Sequence, residues 1–176
     1  MKRIVTLIIP LLILIAAASA QTKVTRSAIK FQIKNLGINI DGTIGGLQAN
    51  VQFSPTQLNT AVMEASADVN AVDTDNDLRD KSLKSDEFFD APHFPKITMK
   101  SVSFKHKSGD KYTGQFNITI KDKTKLFEIP FTYTETGSTA VIKGGFKLNR
   151  LDFGIGESSM VLANDVAVNI EVEVEK

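Results

Sequence analysis

The chain has 176 residues, with 21 Lys and Arg against 20 Asp and Glu and neither cysteine nor tryptophan. That near-neutral balance excludes the basic footprint of a nucleic-acid binder and leaves no polybasic patch for an anionic membrane surface. Without cysteine there is no disulfide or thiol chemistry, so stability must come from a core, and the length suits one domain.

Lys2 and Arg3 open the chain, and Ile4 to Ile15 follow as an apolar run broken only by Thr6 and Pro10. Ala18-Ser19-Ala20 then supplies small residues at the spacing a signal peptidase reads, which places cleavage before Gln21. The run is too short to cross a hydrocarbon core of about 30 Å as a helix. No cysteine follows it, so a lipid-anchored lipoprotein is excluded. The reading is a signal peptide at 1–20 and one domain at 21–176, exported to the periplasm or secreted. After cleavage 19 Lys and Arg face 20 Asp and Glu, with no stable membrane insertion.

Beyond Gln21 the dominant pattern is period-two alternation, the mark of strands with one buried face. Ile29, Phe31 and Ile33 alternate with Lys30, Gln32 and Lys34. Asp41-Gly42 reads as a hairpin-type turn. Leu47, Ala49, Val51 and Phe53 form the next row. Ser54-Pro55 and Thr56–Thr60 read as an N-cap, a proline at the first helical position and one helical turn. A weaker strand is expected at Val62–Val69. Asp75 to Asp90 is charged and lacks alternation, so it reads as one or two short helices in a long connection. A second weak strand spans Ile97–Phe104. Tyr112 to Ile120, Phe127 to Tyr133, Ala140 to Leu148 and Val166 to Val174 are four further alternating rows. Turns at Ser108-Gly109-Asp110, Lys121-Asp122-Lys123 and Thr136-Gly137-Ser138 separate them. Eight short strands joined in this way predict an all-β antiparallel meander. With little helix to cover the apolar face, the sheet should curl into a barrel or sandwich.

Chemistry-bearing motifs are few. Asp73-Thr74-Asp75-Asn76-Asp77 invites a calcium reading, but an EF-hand count from Asp73 puts Leu78 and Lys84 where Gly and Glu are needed. A helix cap by Thr74 or Asp75, with an acidic first turn, fits better. His93, between prolines, and His106, among lysines, read as surface residues. There is no Gly-x-Ser-x-Gly elbow and no phosphate-cradling loop. No catalytic residue, metal or cofactor is expected. Ala49, Gly114, Ala140 and Gly144 are small residues on inward faces. They either leave room along the barrel axis or accommodate bulky partners, and periodicity leaves both open. If they leave room, Gly144→Phe should weaken ligand uptake while leaving a folded barrel.

Several segments in order carry a family resemblance: Val72-Asp73-Thr74-Asp75-Asn76-Asp77-Leu78-Arg79-Asp80, Leu83-Lys84-Ser85-Asp86-Glu87-Phe88-Phe89-Asp90, Pro95-Lys96-Ile97 and Leu148-Asn149-Arg150-Leu151-Asp152-Phe153-Gly154-Ile155-Gly156. With the early Ser27-x-Ile29-x-Phe31-x-Ile33-Lys34 strand, they make the chain similar to the YceI-like family of bacterial periplasmic lipid-binding proteins. The resemblance implies an extended, lipocalin-like antiparallel β-barrel of about eight strands with short helices in one long connection. It implies an apolar cavity for a polyisoprenoid, an isoprenoid quinone or another long-chain lipid, held by a binder rather than an enzyme. Departures at Arg26-Ser27, Gly45-Gly46-Leu47 and Lys121-Asp122-Lys123 leave the ligand's identity open.

Inner faces of the expected strands supply the candidate cavity wall: Phe31, Ile33, Val51, Phe53, Met99, Phe116, Ile118, Phe131, Ile142, Phe146 and Val168. Phe88, Phe89 and Phe94 are candidates for an entrance or lid, or for a plug at one barrel end. Asp73, Asp75, Arg79, Asp80, Asn149, Arg150 and Asp152 are expected to hold loops together, with arginine–carboxylate pairing as the mechanism and a polar contact to a ligand head group as the lesser alternative for Arg79, Asp80, Asn149, Arg150 and Asp152. A long-chain lipid is the expected partner, with a homodimer left open. The competing reading is a filled barrel acting as a non-catalytic envelope-stress or interaction protein.

Overall fold

A computed structural model describes residues 23–175. The signal peptide expected at 1–20 lies outside them. The strands are β1 (Val24–Asn35), β2 (Ile38–Ile44), β3 (Gln48–Gln52), β4 (Val62–Asp68), β5 (Val72–Asp73), β6 (Lys96–Ser108), β7 (Lys111–Ile120), β8 (Lys123–Thr136), β9 (Thr139–Asn149) and β10 (Leu162–Glu175). One helix, α1 (Asp77–Lys84), lies in the connection before β6. The strands form one curled antiparallel sheet in the order β3-β4-β6-β7-β8-β9-β10-β1-β2-β5. The fold class read from the sequence is borne out.

All eight expected strands are present, and β2 and β5 are additional. Asp41-Gly42 is not a turn. Both residues lie inside β2, where Gly42 pairs with Phe31. The chain reverses instead at Leu36 and Gly37, both at positive φ (52° and 79°). The helical turn expected after Ser54-Pro55 is also replaced. Gln57 N–H donates to Ser54 O, Thr60 N–H to Gln57 O and Ala61 N–H to Leu58 O, a run of separate turns that never becomes a helix. The cap of α1 is Asn76, not Thr74 or Asp75: its side-chain oxygen accepts from Arg79 N–H at 3.0 Å. Asp77 and Asp80 do occupy the first turn and Lys81 and Lys84 the last, complementing the helix dipole.

Register brings the apolar faces together. Phe31 pairs with Val168 and Ile33 with Val166 across β1 and β10, and Val168 pairs with Phe146 across β10 and β9. In β6 a bulge between Ser101 and Ser103 changes the parity. Ile97 and Met99 before it and Phe104 after it all pack on the core, while Val102 is left exposed. A bulge re-aims side chains in this way because one strand carries an extra residue.

The ladder does not close. β3 and β5 are its ends. Between the β2–β5 side and the β3–β4 side Asp68 N–H donates to Gly45 O at 3.1 Å, while Gly45 N–H to Ala71 O at 3.0 Å continues the β2–β5 pairing.

Candidate functional site

The two ends of the barrel are built differently. One end, by the β6–β7 and β8–β9 turns, is filled with rings. Phe53 stands edge-on to Phe104, Tyr112 and Phe131 at centroid distances of 5.2, 5.1 and 5.7 Å, and Tyr112 stacks on Phe131 at 5.6 Å. Such edge and offset contacts add stability beyond area burial. The small inward residues belong to this packing. A β-carbon on Gly114 would collide with the Phe116 ring, and one on Gly144 would meet Phe131 Cβ at 3.2 Å and Pro130 O at 3.3 Å. Ala140 is fully buried. These positions make room for neighbouring side chains rather than for a void.

The other half is hollow. A cavity of about 330 Å³ is walled by β1, β10, β9, β7, β6 and β4 and closed over by the long connection. Its aliphatic lining includes Ile29, Ile33, Ile118, Val168 and Ile170, with Ala65 and Ala67 on β4 giving it width. That volume is at the small end of ligand pockets.

Of the residues singled out from the sequence, Phe31, Ile33, Met99, Ile118, Phe146 and Val168 line this cavity, as do Phe88 and Phe89 of the connection. Phe53, Phe116 and Phe131 belong to the aromatic end instead. Val51 and Ile142 are half-buried against the same core. Phe94 is half-buried, its N–H bonded to Asp90 O, and lies outside the lining. Sequence reasoning missed Ile40 and Ile44 on β2, Ala65 and Ala67 on β4, and Leu83 and Leu162. The alternation of Ile38, Ile40, Gly42 and Ile44 carried the signal for β2, but Asp41-Gly42 was read as a turn.

Among the described residues, two guanidinium groups, Arg79 and Arg150, are the only charged side chains in the lining. Arg79 Nε donates to Thr74 Oγ1 at 2.8 Å and Nη2 to Thr74 O at 2.6 Å. Asp80 accepts from both Thr74 N–H and its hydroxyl, and Asp73 accepts from Asp75 N–H. Arg150 is 2 % exposed. It donates to the carbonyls of Ala163, Ile155 and Glu157 at 2.9, 2.8 and 2.7 Å, and more weakly to Leu162 O and Asn164 Oδ1. Neither arginine pairs with a carboxylate, contrary to expectation, because the Thr74 hydroxyl and carbonyl engage Arg79 and loop carbonyls engage Arg150. Burial without a counter-ion pushes the Arg150 pKa down. Asn149 Oδ1 accepts from Leu151 N–H, and Asp152 is exposed in the adjoining 3-10 turn.

His93 Nδ1 lies 2.7 Å from Asp90 Oδ1, and His106 Nε2 bonds the Gly109 carbonyl across its turn. Among the described residues no group of three His, Cys, Asp or Glu stands close enough to hold a metal, and no helix is long and apolar enough to cross a membrane.

Comparison with known proteins agrees with this architecture. A UPF0312 protein of Yersinia enterocolitica is 27% identical over 169 residues, covering 90% of this chain and 88% of its own length. Protein YceI of Salmonella arizonae is 30% identical over 115 residues, 62% of this chain and 60% of its own. Among solved structures, Burkholderia cenocepacia BcnA superposes with a TM-score of 0.80 at 22% identity, covering 84% of this chain and 95% of its own. A polyisoprenoid binding domain from Saccharophagus degradans, described as implicated in plant cell wall breakdown, gives 0.72 at 11% identity, covering 88% and 97%. The model of the YceI-like domain matches residues 21–174, and the chain belongs to that family.

Proposed function

We propose that this protein is an exported binder of a long-chain amphiphile, with an isoprenoid quinone, an isoprenoid precursor or a similar lipid as its ligand. The observation that carries the reading is the half-hollow barrel: an aliphatic cavity whose only charged wall groups are Arg79 and Arg150. An apolar chain entering it leaves water, worth about 25 cal/mol per Å² before the costs of association. The polyisoprenoid-binding description of a structural neighbour supports the class of ligand. The N-terminal sequence supports a periplasmic or secreted location, and the lining supports binding rather than catalysis.

Native mass spectrometry of protein purified from its own cell envelope, followed by organic extraction, tests the reading. A co-purifying prenyl lipid is the expected result. Protein that arrives empty and also fails to take up long-chain prenyl lipids would overturn it.

A further inference from the structure

Two loops at the hollow end carry a group of bare apolar side chains. Met160 is wholly exposed, Leu36 is 73 % and Ile38 66 % exposed, and Val161 is 49 % exposed. Leu36 opens the β1–β2 turn and Ile38 follows it. Met160 and Val161 end the loop that leads into β10. The two tips are one unit, because Leu36 N–H donates to Val161 O at 2.8 Å. Each tip residue adjoins the cavity wall: Asn35 and Leu162 pair in register, both line the cavity, and Leu36 and Val161 are the next residues outward.

The tip is held in place. Arg150 grips the loop's two feet, at Glu157 O and Leu162 O. Ser159 Oγ accepts from Val161 N–H and Leu162 N–H, which turns Met160 outward. Between them the tips, residues 35–39 and 158–161, contain no charged residue. Exposed Lys34 and Glu157 flank these spans, and the larger basic cluster lies elsewhere. Arg26, Lys30, Lys107 and Lys111 line an open groove on the sheet, where Lys143 pairs with Glu171.

We propose that this uncharged apolar tip seats the cavity end of the barrel on a lipid bilayer, so that the amphiphile passes between membrane and cavity without crossing water. The inference rests on the binding reading above. A bilayer is the occupant that fits, because the tip is continuous with a cavity whose proposed ligand resides in membranes. Its neutrality matches the interfacial region rather than a charged protein patch, and apolar side chains bind there in proportion to the area they bury.

The test compares the full-length mature protein with a variant carrying Leu36→Asn, Ile38→Thr, Met160→Ser and Val161→Thr. Asn suits the left-handed backbone at position 36, so the fold is retained. Two assays are run: flotation with neutral phosphatidylcholine vesicles, and uptake of a fluorescent farnesol from those vesicles or from dilute detergent. The wild type is expected to float, at high salt as well, since screening weakens only charged contacts. The variant should float roughly tenfold less and take up the probe from vesicles correspondingly more slowly. Its uptake from detergent should be unchanged.

Equal flotation and equal transfer rates overturn the proposal, as does a wild type that never floats. Binding confined to anionic vesicles and lost in salt overturns it too, and assigns the contact to the basic groove. If the tip substitutions instead convert a dimer to a monomer in sedimentation, without vesicle binding, the occupant is a second copy and the proposal falls. Flotation by the tip without any probe uptake from detergent supports the bilayer contact and removes the cavity reading, so the two failures are told apart.

Discussion

The ring of Phe31 lies over Gly42 on the neighbouring strand, where a β-carbon would collide with its Cζ and stand 2.8 Å from Thr74 Cγ2. Glycine at this position lets a cavity-wall aromatic lie flat beneath the start of the long connection. Gly42→Ala must therefore turn Phe31 away. Overpacking of this kind costs about 1–3 kcal/mol, which urea denaturation will read as a lower midpoint. Lipid uptake should change with it, because the displaced ring borders the cavity.

Arg150 should be the most sensitive polar position. Arg150→Met leaves carbonyls of four residues, that of Ile155 buried and the others part-buried, without this donor, so a loss of roughly 3 kcal/mol is expected. For a domain of this size that lowers the melting temperature by about 10 °C. Arg150→Lys should not restore it, because an ammonium on a flexible stem cannot span the positions that a planar fork reaches. Differential scanning calorimetry of the three proteins decides the matter.

Filling the void should separate binding from folding. Ala65 lines the cavity on β4, opposite Met99. Ala65→Phe is expected to keep the circular dichroism of the wild type and to weaken prenyl-lipid uptake by roughly tenfold, a change of about 1.4 kcal/mol. Gly144→Phe should behave differently from what the sequence suggests. Its ring would be driven into Phe131 and the Pro130 carbonyl, so stability should fall.

Tyr133 gives the fold a limit at high pH. Its hydroxyl donates to Glu135 Oε1 at 2.8 Å and more weakly to the Phe53 carbonyl. Burial first, and then the Glu135 carboxylate, push its pKa up. The unfolded phenol ionises near its ordinary value of about 10, while the folded one stays protonated. The folded state thus binds more protons above that pH, and stability should decline as pH rises beyond about 10. Tyr133→Phe should flatten that decline in urea titrations at successive pH values.

The sequence announced the barrel more clearly than the cavity. Alternation is a property of each strand alone, so rows such as Val166 to Val174 were legible without knowing their neighbours. Whether an inward residue faces a ring or a void depends on what stands across the barrel. Phe131 and Phe146 have the same signature, yet one is packed among Phe53, Tyr112 and Phe104 while the other borders the cavity. Parity failed at the β6 bulge, where one extra residue moves the inward set from Met99 to Phe104. Gly42 was misread because a glycine that admits a ring and a glycine that makes a turn look alike in sequence. Arg150 was noticed, but its partners are main-chain carbonyls, which leave no trace in side-chain identity.

The open ladder has a consequence for how much this barrel can carry. A sheet closed on itself would fix that capacity. Here the β3–β4 side meets the β2–β5 side at Gly45, whose carbonyl accepts from Asp68 N–H, and no ladder runs between the end strands β3 and β5. Strand pairing therefore does not pin the barrel's girth along that line.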